Sequence, residues 1–195
     1  MTTTLYLASA SPRRRELLTQ LCPHFERIHA EIDETPRAGE EALAYAERMA
    51  CEKAAEGWRV VVESGLPTRP LLAADTTVVL DGVIYGKPVD AADARRMLRA
   101  FSGRSHQVIT ALAVREGEHT ARRTSVTDVS FRALSEEDIE RYLDSGEAFD
   151  KAGAYGIQGK ACVFIERIAG SYTGVMGLPL FETAALLAEF GFTFP

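Results

Sequence analysis

The sequence predicts an α/β protein: a mixed β-sheet flanked by helices, arranged as two lobes around a central cleft. Three observations lead there. Apolar strand-like runs alternate along the chain with stretches of helical period. Turn signals at Asp81-Gly82 and Glu116-Gly117-Glu118 join neighbouring strands as hairpins, so the sheet mixes antiparallel with crossover pairing. The chain has 195 residues, 46% of them hydrophobic, which is enough to bury a core without staples. No repeat, low-complexity run or long linker divides it, and residues 1–195 read as a single domain of two lobes.

Residues 4–8 form an apolar strand. Ser11 as N-cap and Pro12 at the first helical position then open a helix over 12–21, with Leu17, Leu18 and Leu21 on one face. Residues 25–28 are a short strand, followed by the acidic loop EIDETP, where Pro36 blocks regular structure. Residues 39–58 are a helix with Leu43, Ala46, Ala50 and Ala54 inward. The most apolar strand covers 71–80 and returns through 83–85 to the Gly86-Lys87-Pro88 stop. Asp90 caps a helix to Phe101, with Gly103 at its exit, and strands over 107–115 and 120–131 make a long hairpin. Ser135 and Asp138 form a capping-box start for a helix that ends at Ser145-Gly146. A glycine-rich loop over 152–159, a strand over 162–168, a small-residue segment over 171–178 and a helix from Pro179 to about Phe190 complete the chain.

The net charge of −6 argues against a nucleic-acid polymer or an anionic membrane as partner, since both call for a broad basic surface. Cys22, Cys51 and Cys162 are far apart and lack zinc-ligand spacing, so they are expected to be reduced and structural. No signal peptide or membrane span is read from the apolar runs, and the expected location is the cytoplasm.

Against that acidic background, LASASPRRRELL stands out. A helix start carries unpaired N–H groups and partial positive charge, and guanidinium forks match phosphate oxygens. Taken alone, Arg13, Arg14 and Arg15 read as a solvated basic face, as most basic runs do. Asp75 lies inside the apolar run PLLAADTTVVL, where a carboxylate needs a cation, a metal or donors; general base, metal ligand and backbone-bonded aspartate all remain open for it. Glu31, Asp33 and Glu34 could hold Mg²⁺ or Mn²⁺ if their loop folded toward Asp75. Lys53, on the polar side of its helix, and Lys87, between Gly86 and Pro88, are weak signals individually. Gln158 in KAGAYGIQG offers one donor and one acceptor to a base edge, and His106 reads as a satisfied strand-edge histidine. The residues alone therefore indicate a protein that binds a small anionic ligand, with a divalent cation as an option.

Taken together, LASASPRRRELL, EIDE, AADTTVVLDG with GKP, FSGRSHQVITALAV, DKAGAYGIQG and GSYTGVMGLPL resemble, in order, the motifs of the Maf family of nucleoside triphosphate pyrophosphatases. The form DKAGAYGIQG is similar to the dTTP/UTP branch rather than the 7-methyl-GTP branch. The resemblance implies a long mixed sheet around a cleft, like that of inosine triphosphate pyrophosphatases. It also implies a homodimer and hydrolysis of a triphosphate to monophosphate and pyrophosphate with a divalent metal cation (Mg or Mn). It places Asp75 on the proton-acceptor position, with Glu34, Lys53 and Lys87 also catalytic and Glu34 and Asp75 as metal ligands. Ser9, Arg13, Arg14, Thr76 and Gln158 fall on substrate-binding positions, while Arg15 matches a variable one. A nucleotide-binding regulator of cell division and septum formation, the 7-methyl-GTP activity and a phosphatase releasing orthophosphate are the competing readings.

Overall fold

A computed structural model describes residues 4–194. In chain order it contains β1 (Leu5–Ala8), α1 (Pro12–Thr19), β2 (Phe25–Arg27), α2 (Ala42–Glu63), β3 (Leu71–Leu80), β4 (Val83–Tyr85), α3 (Ala91–Phe101), β5 (Ser105–Glu116), β6 (His119–Phe131), α4 (Glu136–Leu143), β7 (Ile165–Ala169), α5 (Tyr172–Met176) and α6 (Leu180–Ala188). The seven strands form one mixed sheet in the order β2-β1-β3-β5-β6-β7, with β4 paired to β3. β1 is parallel to β2 and β3, and the remaining pairings are antiparallel.

One face of the sheet is covered by α2, whose Ala42, Ala46, Ala50 and Ala54 pack on Tyr6, Leu71, Ala73 and Ala111. Small residues every fourth position let the helix lie close. A Cβ at Gly57 would sit 2.9 Å from Leu71 Cδ1, which accounts for a glycine inside a helix that it would otherwise weaken. On the opposite face, Leu17, Leu18, Leu186 and Leu187 of α1 and α6 pack on Leu5, Leu7, Leu72 and Ala74. At the far end of β3, a third apolar cluster gathers Phe101, Phe131, Ile139 and Phe164 from α3, β6, α4 and the chain before β7.

The site follows from a break in pairing along one edge of β3. β1 covers that edge through Leu71, Leu72 and Ala73, and β4 covers it through Val78, Val79 and Leu80. Residues 74–77 between them have no strand on that side, although β5 continues along the other edge. Successive strand residues point to opposite faces, so Asp75 and Thr77 turn toward α2 and Thr76 toward α1. Both directions open into the same gap.

Several expectations change. Leu43 is 45% exposed rather than inward, because the inner face runs through Ala42, Tyr45, Ala46 and Met49, one step off in helical phase. α2 starts at Ala42, after Gly39 with φ of 72°, and runs to Glu63, because burial of Trp58 and Val61 overrides the low helix preference of its valines. The expected strand over 162–168 begins as a 3-10 turn, Lys160–Phe164, and only Ile165–Ala169 pairs with β6. Cys162 is exposed there and has no packing role, whereas Cys22 is buried; all three cysteines are free thiols. The capping box at Ser135 and Asp138 is present.

Candidate functional site

The gap opens into a cavity of about 810 Å³ whose lining includes Ser9, Arg13, Arg14, Glu34, Lys53, Asp75, Thr76, Lys87 and Gln158. The structure thus brings all nine site residues proposed from sequence to one place. Glu31 and Asp33 are elsewhere: Glu31 pairs with His29, and Asp33 accepts from Thr35 N within its own loop.

At the centre, Lys53 Nζ lies 2.7 Å from Asp75 Oδ1 and 2.7 Å from Glu34 Oε1. Thr77 Oγ1 donates to Asp75 Oδ2 at 3.1 Å. Asp75 therefore has the cation and donor that its burial demands. Glu34 is brought in from its loop by two ties: Tyr45 Oη donates to the Glu34 carbonyl at 2.8 Å, and Arg48, bonded to Glu40, donates to the Thr35 carbonyl at 3.2 Å. Burial first, then the Asp75 and Glu34 charges, push the Tyr45 phenol up to about 12, so it stays a donor.

Ser9, Arg14 and Thr76 form the second wall. Arg14 donates through Nε to the Gly177 carbonyl at 2.8 Å, through Nη2 to Thr76 Oγ1 at 3.0 Å and through Nη1 to Ser9 Oγ at 3.4 Å. Burial lowers the Arg14 pKa and Asp75 opposes the shift; a guanidinium remains charged throughout. Arg14 is thus a strut joining α1, β3 and the turn after α5, with N–H groups to spare for a ligand. Thr110, fully buried on β5, lies 3.0 Å from Thr76 Oγ1 and donates to the Gly174 carbonyl at 2.8 Å.

Arg13 faces the cavity and reaches Asp150 at 3.5 Å, a half-open contact that a stronger anion can displace. Lys87 is exposed on its turn, and the Gly86 carbonyl accepts from Gly153 N at 3.0 Å, tying that turn to the glycine-rich loop. Gln158 is exposed on the same loop. Tyr45, Thr77, Thr110, Asp150 and Tyr155 were missed from sequence. Only Thr77, two residues from Asp75 on the same strand face, carried a readable signal.

His106 also departs from expectation. β5 has neighbours on both sides, so the residue is 2% exposed on a central strand, with Nε2 2.8 Å from Tyr155 Oη and Nδ1 without a partner.

For a divalent cation, the donor set is the pair of carboxylates on Lys53. Among the described residues no group of three or more His, Cys, Asp and Glu could hold a metal ion. Two carboxylates suffice where phosphate oxygens and water complete the shell, as Mg²⁺ sites commonly do, so these residues fit an ion shared with a phosphorylated ligand.

Five cations (Arg13, Arg14, Lys53, Lys87 and Lys151) and three carboxylates (Glu34, Asp75 and Asp150) line the cavity of a chain whose net charge is −6. Fold and site together define an α/β protein with a local anion-binding cleft built around a carboxylate pair. The chain belongs to the Maf family: the pattern described as Maf-like protein matches residues 4–190. It is 70% identical over 193 residues to a protein of Chromobacterium violaceum named dTTP/UTP pyrophosphatase, covering 99% of this chain and 98% of that one. Proteins of the same name from Aromatoleum aromaticum and Bordetella parapertussis are 52% and 54% identical, over 96% and 98% of this chain and 96% and 94% of theirs. Among solved structures, the Staphylococcus aureus Ham1 protein matches 66% of this chain and 72% of its own at a TM-score of 0.48 and 14% identity.

Proposed function

We propose that this chain is a nucleoside triphosphate pyrophosphatase that hydrolyses dTTP and UTP, and modified pyrimidine triphosphates, to the monophosphate and pyrophosphate. The observation that carries the reading is the Glu34–Lys53–Asp75 cluster within the same cavity as Arg13, Lys87 and Gln158. The name shared by relatives up to 70% identical supports the substrate.

A triphosphate brings about four negative charges, which Arg13, Arg14 and Lys87, all lining the cavity, offset. The Asp75 carboxylate orients a water toward the α phosphorus and takes its proton. Thr77 holds the second Asp75 oxygen, leaving the first in contact with Lys53 and the incoming water. Arg13 and Lys87 stabilise charge on the departing pyrophosphate, and Gln158 faces the uracil or thymine imide edge. A Mg²⁺ or Mn²⁺ held by Glu34 and Asp75 would supply Lewis-acid polarisation of the phosphate oxygens.

Assembly as a cytoplasmic homodimer belongs to the same proposal. The exposed Tyr172 and Phe181 offer apolar surface to a second copy, and sedimentation measures the state. No helix of the described residues is long and apolar enough to cross a membrane.

The test is pyrophosphate release from a panel of triphosphates with Mg²⁺ or Mn²⁺, on the unaltered protein and on Asp75→Asn. The expected result is turnover of dTTP and UTP, with Asp75→Asn retaining nucleotide binding and losing at least about a hundredfold in turnover. Inactivity of the unaltered protein on every nucleotide overturns the reading. A preference for 7-methyl-GTP moves it to the sister activity.

A further inference from the structure

His106 and Tyr155 form a buried pair that the chemistry above does not use. On β5, His106 and Val108 project from the same face, and Val108 lines the cleft. The His106 ring packs 4.3 Å from Phe101 and edge-on to Phe131 at 5.1 Å, measured between ring centres. Burial pushes its pKa down to about 4, so the imidazole is neutral at pH 7. One ring nitrogen is bonded to Tyr155 Oη at 2.8 Å, and the other is buried without a partner.

In such an aromatic cage a phenyl ring at 106 alone would leave the buried Tyr155 hydroxyl without its partner, whereas apolar rings at both positions would strand nothing, so stability alone does not favour the polar pair here. What the imidazole provides is one bond, made to a residue lining the cleft. Tyr155 begins the segment that carries Gln158, and further ties hold that segment beyond it. Gly156 packs so closely on Lys151 that a Cβ would lie 2.7 Å from its Cε, and Lys160 N donates to Glu147 Oε2 at 2.8 Å. Residues 156–159 are strung between fixed points, and His106 supplies the first.

Fixing that frame matters for reading a base. A planar amide that can turn end for end presents either order of donor and acceptor, and so serves a uracil edge or a cytosine edge. Selection between them requires the amide to be held in place.

We propose that His106 is a positioning residue for base selection: through the Tyr155 hydroxyl it sets the loop from which Gln158 faces the pyrimidine. The inference rests on the pyrophosphatase reading. The test compares kcat/KM for UTP and CTP in the unaltered protein, His106→Phe, Tyr155→Phe and the double variant, each with a melting curve at pH 7. Each single variant is expected to lower the UTP-to-CTP ratio about tenfold, mainly through KM for UTP. The double variant should fall within about twofold of either single one in that ratio; His106→Phe, which strands the Tyr155 hydroxyl, should melt lower than the unaltered protein, and the double variant should recover much of that loss. An unchanged ratio in the folded variants overturns the inference, as does a lower melting temperature with the ratio intact, which is what a merely structural histidine would give. Tyr155→Phe reads the same bond from its other end if His106→Phe does not fold. Absence of UTP turnover in the unaltered protein removes the pyrophosphatase reading itself, and the proposal with it.

Discussion

Replacing Lys53 by Met probes the centre of the site. Methionine keeps the apolar stem and removes the ammonium that touches Asp75 and Glu34 at 2.7 Å each. The two legs differ in weight, because the Asp75 side chain is 11% exposed and that of Glu34 is 59% exposed. Removing one partner of a buried ion pair costs about 3–5 kcal/mol, whereas an exposed pair contributes about 1 kcal/mol or less. Thr77 remains as a donor to Asp75 and the cleft admits water, so the low end applies: about 3 kcal/mol, or about 6–12 °C in melting temperature for a chain of this size. The assay is thermal unfolding followed by circular dichroism at pH 7 with a chelator present, so that no divalent cation takes the ammonium's place. Adding Asp75→Asn to Lys53→Met removes the stranded charge and should recover most of the loss. A Lys53→Met protein melting within about 2 °C of the unaltered one, or a double variant no more stable than the single, would refute the buried ion pair.

The arginines should separate. Arg13→Ala is expected to lower kcat/KM for UTP by about 10–100-fold with little change in melting, and Arg14→Ala to lower both, because the Gly177 carbonyl and Thr76 lose their donor. Arg15→Ala should stay within about twofold in a parallel kinetic assay. A Cβ on Gly159 would collide with the Glu147 carboxylate that holds Lys160 N, so Gly159→Ala should shift the Gln158 loop and lower kcat/KM about tenfold or more, as measured against the unaltered enzyme. Burial lowers the His106 pKa from 6.5 to about 4, so its neutral form contributes stability fully above pH 6.5, and that contribution is lost as pH falls toward 4. Between pH 7 and pH 5 this removes about 2 kcal/mol, and denaturant unfolding at both values should show that slope in the unaltered protein and not in His106→Phe.

Strands and cleft residues were readable in the sequence for different reasons. β3 and its hairpin declare themselves through a ten-residue apolar run ended by Asp81-Gly82, both with positive φ. The nine cleft residues were assembled by resemblance of motifs, since Lys53, Lys87 and Gln158 carry little signal individually. What sequence could not convey was the gap in pairing at residues 74–77, which depends on where β1 ends and β4 begins. That gap lets Asp75 and Thr76, neighbours pointing to opposite faces, serve one cavity. Nor could sequence reveal that Arg14 is a strut, because its partners Thr76 and Gly177 are distant in the chain. Leu43 was misplaced because alanine at every fourth position marks the inner face of α2 more faintly than a leucine does.

In the proposed reaction a water positioned at Asp75 attacks the α phosphorus. Hydrolysis of UTP in ¹⁸O-labelled water, with products resolved by mass spectrometry, tests it most directly. Attack at the α phosphorus puts label in the monophosphate and leaves the pyrophosphate unlabelled; label in the pyrophosphate, or release of orthophosphate, would contradict it.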